Sequence, residues 1–304
     1  MKAVVVENVV KSYGSKKDLV EALKGISFEV DRGELFGIIG PDGAGKTSLF
    51  RILTTLLLAD SGKATIDEYD VVKDFKAIRQ RVGYMPGRFS LYQDLTVEEN
   101  LEFFATTFNT TIRENYALIK DIYSQIEPFK DRRAGKLSGG MKQKLALSCA
   151  LIHRPSVLFL DEPTTGVDAV SRKEFWDMLQ NLKRSGITIL VSTPYMDEAN
   201  LCDRIALLQE GKLLSINTPA GVIGNFKQPL YAAKGSRMLQ LLNELKTFKE
   251  VKDAYPFGEY HHVVFHDEAG VPPVASYFGA SGVEMFPVTP GIEDCFMDLM
   301  KTNE

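Results

Sequence analysis

A parallel α/β sheet covered on both faces, followed by a small α+β appendage, is the fold class that this 304-residue sequence predicts. Three observations predict it. The run Val157-Leu158-Phe159-Leu160 and the run Ile187–Ser192 are short and apolar, as strands buried on both sides must be. Amphipathic helical segments alternate with such runs, which is the pattern of βαβ units. Beyond about Phe226 that pattern weakens into shorter elements.

The elements follow in order. Residues 1–10 and Ala22–Val30 read as strands of an antiparallel sheet. Arg32-Gly33-Glu34 is a turn that leads into a short apolar strand ending at Gly40. From Lys46 to about Leu58 the chain reads as a helix that is apolar all round and therefore buried. Arg79–Tyr84 reads as the next strand. Thr96 and Glu99 form a capping box. Behind it Leu101, Phe104, Ala105 and Phe108 recur at helical spacing, and helix-rich sequence continues to about Gly135. Ser171–Glu174 caps a helix with Phe175, Leu179 and Leu182 on one face. Past the strand Ile187–Ser192 the chain meets Pro194 and continues as a helix. The appendage holds a segment at Pro229–Gly235, a helix near Met238–Leu245, strands near Val251–Tyr255 and His261–Phe265, and a final helix from Ile292.

Composition sets bounds on function. The chain is 44% hydrophobic and 25% charged, as soluble globular chains are. A net charge of -4 gives no reason to expect nucleic acid as a partner. Cys149, Cys202 and Cys295 are widely spaced and read as buried thiols. The N-terminal stretch alternates like a strand and has no signal-peptide core. No apolar run approaches the ~20 residues of a membrane span, so work at a membrane requires a span from another chain. His262 and His266 share a strand face but lie about 13 Å apart, which makes no metal site, and Trp176 reads as packing.

Chemistry is concentrated in three places. Gly40-Pro41-Asp42-Gly43-Ala44-Gly45-Lys46-Thr47-Ser48 fits the pattern G-x-x-x-x-G-K-[ST] between a strand and a helix. Glycines let backbone N–H groups close on a triphosphate, and the helix offers its positive end. Lys46 can reach the β- and γ-phosphates, and the Thr47 hydroxyl can bind Mg²⁺. The strand Val157–Leu160 delivers two carboxylates to its tip, Asp161 for the Mg²⁺ hydration shell and Glu162 to polarise an attacking water. Leu137-Ser138-Gly139-Gly140-Met141-Lys142-Gln143 opens a helix with Ser138 at its N-cap, a second surface suited to an anion.

Together these motifs resemble the ATP-binding subunit of ABC transporters over roughly residues 3–225. In that resemblance Gly40–Ser48 is the Walker A loop, Leu137–Gln143 the signature, Val157–Glu162 Walker B, and Gly166-Val167-Asp168 the D-loop. The fold it implies is an ABC-type P-loop ATPase: a parallel core sheet, an antiparallel β subdomain and a helical subdomain at about 88–136. The ATPase domain would be residues 1–226 and the accessory domain residues 227–304. It also implies ATP and Mg²⁺ as cofactors, with Tyr13 stacked on adenine. In a head-to-tail dimer, with itself or a second ABC ATPase, Ser138, Gly139, Gly140 and Gln143 would complete the partner's site, so that a side chain at Gly140 would face the partner's γ-phosphate. A membrane permease would bring the chain to the cytoplasmic face of the membrane. The wording Glu162–Asp168 and Thr289–Phe296 is most similar to the bacterial drug-export branch.

Two positions depart from the family pattern. Gly87 stands where the family places a glutamine, and Pro194 stands where it places a histidine at the end of Ile187–Ser192. Neither has a polar side chain: a one-residue offset would bring in Arg88 and Tyr195 as the nearest polar substitutes, backbone or water would cover both roles, or the site is weakened. Three readings remain open. The chain powers an exporter, with its own ATP site weakened; it binds ATP as a regulatory subunit with little hydrolysis; or it is an ABC ATPase of non-transport type.

Overall fold

The computed structural model describes residues 1–15, 18–87 and 91–302. The chain divides into two compact units, Met1–Pro219 and Ala220–Lys301. In chain order the first contains β1 (Lys2–Tyr13), β2 (Val20–Asp31), β3 (Leu35–Ile39), α1 (Lys46–Leu53), β4 (Ser61–Ile66), β5 (Tyr69–Asp70), α2 (Phe75–Arg79), β6 (Val82–Met85), α3 (Val97–Thr107), α4 (Ile112–Tyr123), α5 (Gly139–Leu151), β7 (Val157–Asp161), α6 (Ala169–Arg184), β8 (Thr188–Thr193), β9 (Arg204–Gln209) and β10 (Lys212–Asn217).

The central sheet has the order β10-β9-β3-β8-β7-β6. Its β6, β7, β8, β3 and β9 run parallel, and β10 joins antiparallel at one edge. Every residue of β3, β7 and β8 is buried, which is why these strands read as continuous apolar runs. A second sheet, β2-β1-β4-β5, is antiparallel. Its inward Val4, Val6 and Phe28 share one core with Phe36, Phe50 and Phe159. The tips of β3, β7 and β8 therefore converge on one edge of that core, which is where an open α/β sheet binds its ligands.

Several local expectations are corrected. The helix from Lys46 stops at Leu53, not near Leu58. Thr54 turns its hydroxyl back onto Phe50 O at 2.8 Å, and Thr55 takes a left-handed φ of 63°. The segment read as a strand from Arg79 is helical up to Arg79, and the strand begins at Val82. The cap of α6 is Asp168, not Ser171: its carboxylate accepts from the N–H groups of Val170 and Ser171 at 3.1 and 3.0 Å. The capping box at Thr96 and Glu99 closes in both directions, at 2.7 and 3.1 Å.

The rest of the chain runs α7 (Pro219–Asn225), β11 (Leu230–Lys234), α8 (Met238–Leu245), β12 (Val251–Phe257), β13 (Tyr260–Phe265), α9 (Val271–Gly279), β14 (Glu284–Pro287) and α10 (Ile292–Thr302). The unit begins at Ala220, seven residues before 227, and Phe226 already packs against its cluster of Leu230, Tyr255 and Val264. Its antiparallel sheet has the order β12-β13-β11-β14, and with α8 and α9 it makes a βαββαβ unit of the ferredoxin-like kind. Leu241 and Leu245 of α8 and Val274 and Phe278 of α9 pack on Val263 and Phe265. On the other sheet face, α10 supplies Asp294 to Tyr255 and His262.

Candidate functional site

The loop Gly40–Gly45 joins β3 to α1 and depends on its glycines. A Cβ at Gly45, where φ is 107°, would lie 2.3 Å from Ala22 O; one at Gly40 would lie 2.1 Å from Leu208 O. Lys46 is buried, and its ammonium donates to Gly40 O at 2.8 Å and Pro41 O at 3.0 Å and pairs with Glu162 Oε1 at 3.0 Å. The Thr47 hydroxyl donates to Asp161 Oδ1 at 3.2 Å. Three separate segments, the loop, the start of α1 and the end of β7, are thus within hydrogen-bonding reach of one another. Tyr13 is half exposed at the end of β1, and its hydroxyl shares a 3.0 Å hydrogen bond with Ser48.

Glu162 has a left-handed φ of 50°, a conformation that costs a residue with a side chain about 1–3 kcal/mol. Its N–H is held by both Ser192 O and Ser192 Oγ at 3.0 Å, and the Ser192 hydroxyl donates to Asp161 Oδ1 at 2.6 Å. Sequence reasoning took Ser192 only as the end of a strand. The parallel register sets Ser192 beside Asp161, a pairing that no local run of sequence shows. Burial, reinforced by the Asp161 charge, pushes the Tyr84 phenol on β6 up to about 12.

The signature segment enters α5 with Ser138 as N-cap, accepting from Met141 N at 3.3 Å. Gly139 has ordinary room, with Gly166 O at 3.7 Å from its would-be Cβ. A Cβ at Gly140 would lie 2.7 Å from Ser171 Oγ of the same chain, so a substitution there disturbs its own protomer as well as any surface beyond. Gln143, expected to serve a partner's nucleotide, lines the cavity beside Gly87 and Glu162. It is buried and donates its amide to Pro163 O, because one turn of helix beyond the Ser138 cap faces inward.

Gly87 opens onto a cavity of about 230 Å³ lined also by Gly139, Gln143, Glu162 and Gly166. Its would-be Cβ lies 3.0 Å from Asp161 O. Arg88 lies outside the described residues. Pro194 follows Thr193, whose carbonyl accepts from Gly40 N at 3.2 Å and whose hydroxyl donates to Glu198 at 2.5 Å. The Tyr195 ring lies 4.1 Å from the Arg172 guanidinium of α6.

A glycine loop, a buried lysine, a hydroxyl and two carboxylates at the tips of parallel strands define a P-loop nucleotide-binding cassette. The family model for ABC transporters matches residues 23–165. The chain is 38% identical over 276 residues to the probable multidrug ABC transporter ATP-binding protein YbhF of Escherichia coli K12, covering 89% of this chain and 48% of that one. The match extends into the second unit, since 276 aligned residues exceed the 219 of the first. The chain spans about half the length of that relative. It is 39% identical over 219 residues to the Nod factor export ATP-binding protein I of Burkholderia lata, covering 71% of each. Among solved structures, a dimeric ATP-binding cassette in a post-hydrolysis state with ADP and Pi is similar at TM-score 0.65 and 26% identity, covering 71% of this chain and 98% of that one. The chain belongs to the ABC transporter family, as an ATP-binding cassette.

Proposed function

We propose that the chain binds MgATP at Gly40–Ser48 and hydrolyses it through Glu162 to power a membrane exporter. One observation carries the reading: Lys46, Thr47, Asp161 and Glu162 are joined by contacts of 3.0 to 3.2 Å at the strand tips. These residues fit MgATP. Thr47 and Asp161 would hold Mg²⁺, directly and through water, and Mg²⁺ when bound neutralises charge on the phosphates. Lys46 turns from Glu162 to the phosphate oxygens, the backbone N–H groups of Gly43–Ser48 orient them, and Glu162, so released, takes a proton from water. Tyr13 offers an exposed ring for the base.

Partnership follows the same reading. Ser138, Gly139 and Gly140 at the start of α5 would close on the nucleotide of a second cassette, either another copy or a different ABC ATPase. The names of the relatives, multidrug transport and Nod factor export, support an exporter. No helix among the described residues is long and apolar enough to cross a membrane, so the span would come from a permease. A cleft of about 400 Å³ between the core and the helical subdomain, lined by Leu56, Tyr84, Phe104, Phe108 and His153, supports docking there. The chain would then sit at the membrane's cytoplasmic face. Gly87 and Pro194 place no polar side chain at the γ-phosphate. They favour a weakened site, and in the limit a regulatory subunit with little hydrolysis.

The test is calorimetry with ATP and Mg²⁺ on the parent and on Lys46→Ala. The loss of a charge-assisted contact should weaken binding by about 10- to 100-fold. Equal affinity in the two proteins would reject the phosphate assignment.

A further inference from the structure

We infer that Ser192 is a positioning residue that sets the two acids at the tip of β7 and, with Pro194 behind it, fixes the direction of Glu162. The inference rests on the roles proposed above for Asp161 and Glu162. A serine hydroxyl has one proton and two acceptor positions. Ser192 gives its proton to Asp161 Oδ1 at 2.6 Å and accepts the Glu162 N–H at 3.0 Å, and the same N–H reaches the Ser192 carbonyl. One wholly buried hydroxyl therefore binds the carboxylate of one acid and the backbone of the next.

Glu162 needs such a hold because its φ of 50° lies in the left-handed region, which neighbours must enforce on any residue but glycine. Its carbonyl accepts from the Thr165 N–H at 3.2 Å, and its carboxylate pairs with Lys46. That lysine has three N–H donors, and Gly40 O, Pro41 O and Glu162 Oε1 take all three. Reaching a phosphate means releasing one of them. Once the lysine turns to phosphate, the Ser192 hold is what keeps Glu162 in place. The strand end that presents Ser192 is itself braced. Thr193 O accepts from Gly40 N, the Thr193 hydroxyl bonds buried Glu198, and Pro194 restricts Thr193 to extended backbone. Pro194 in this view stiffens the strand end that carries Ser192.

The experiment measures phosphate release from MgATP by the full chain for the parent, Ser192→Ala, Ser192→Thr, Glu162→Gln and the Ser192→Ala/Glu162→Gln double variant. Ser192→Ala should lower kcat roughly tenfold, with KM for ATP changed less than about threefold, because the hold acts on the reacting groups and not on nucleotide binding. Ser192→Thr keeps the hydroxyl and should restore most of the rate. In the Glu162→Gln background Ser192→Ala should cost clearly less than in the parent, since one of the two acids it positions is gone and only Asp161 remains. A merely structural serine would give the same fold-loss in both backgrounds, and that result overturns the inference even if the threonine variant fails to fold. A Ser192→Ala rate within about twofold of the parent, beside an impaired Glu162→Gln, overturns it too. A parental rate in Glu162→Gln overturns the reading of Glu162 itself, a separate failure.

Discussion

Asp161 in the first unit and Asp294 in the second are both buried carboxylates met by hydroxyl groups, yet they are held differently. Asp294 uses both oxygens: Oδ1 takes the Tyr255 hydroxyl at 2.7 Å and His262 Nδ1 at 2.6 Å, and Oδ2 takes the Gly291 N–H at 2.7 Å. Among the described residues, the hydroxyls that reach Asp161, from Thr47 and Ser192, both bond Oδ1. A carboxylate saturated on both oxygens is committed to its own fold. One held from a single side keeps acceptor capacity for a ligand. The same contrast runs through their neighbours. Lys46 and Glu162 meet as a pair that a phosphate can separate, whereas His262 lies stacked on Phe257 at 3.9 Å with its carboxylate at Nδ1.

The largest expected effects would break the comparison if they came out alike. Asp161→Asn should lower ATP turnover roughly a hundredfold, the scale of removing one electrostatic group from a site, while leaving the unfolding midpoint nearly unchanged. Asp294→Ala should do the reverse. It strands His262, Tyr255 and the Gly291 N–H in the interior, at a cost of about 3 kcal/mol, with turnover within about twofold of the parent. Denaturant unfolding, with hydrogen exchange along Ile292–Thr302, and phosphate release measure the two arms. A turnover loss in Asp294→Ala as deep as in Asp161→Asn would remove the distinction.

A smaller effect sharpens it. Burial opposes the charge on Asp294, but the bonds from His262, the Gly291 N–H and Tyr255 prevail and hold its carboxyl below the ordinary value. A depressed folded value means that the stabilisation is fully present above the unfolded value, about 3.9, and is lost as pH falls through the folded one. Protection of α10 against hydrogen exchange should therefore hold at pH 5 and decline below about pH 4. In Asp294→Asn the same helix should be weaker at pH 5 and show a flatter acid limb. Identical slopes in the two proteins would take the acid response away from Asp294.

The contrast also explains what could be read from sequence. The loop Gly40–Ser48 and the pair Asp161 and Glu162 were legible because each is a local run whose spacing states its chemistry. Ser192 was not, since its partners come from β7, thirty residues away, and only the register of two parallel strands joins them. His262 and Asp294 are likewise 32 residues apart, and alternation along β13 gives no hint that α10 covers that face. The helix α9 went unread; it opens with Pro272 and Pro273, which a first helical turn tolerates but which mask its helical spacing. The short strand β14 carries a proline at its end and pairs only with β11. Ser171 was read as the cap because Glu174 follows it at capping-box spacing, but Asp168, with no such partner, takes the N–H groups of Val170 and Ser171.

The smallest expected gain concerns Gly87 and Pro194. Restoring polar groups at both should raise turnover by about three- to tenfold, if two transition-state contacts return. Each change also has a steric side. A Cβ at Gly87 would meet Asp161 O at 3.0 Å, so the strand tip or the loop must give by a few tenths of an ångström. Removing Pro194 frees Thr193, which braces the tip through Gly40 and Glu198. The controls are therefore Gly87→Ala with Pro194→Ala, which carry the steric and backbone changes without the polar groups. The measurement is phosphate release from Gly87→Gln/Pro194→His against this alanine pair. A rate above both the alanine pair and the parent means that the first unit is slow because two ligand-facing contacts are missing. A rate equal to the alanine pair means that the glycine and proline serve the bracing of Asp161 and Glu162 instead. Asp161 would then depend on its own chain nearly as closely as Asp294 does.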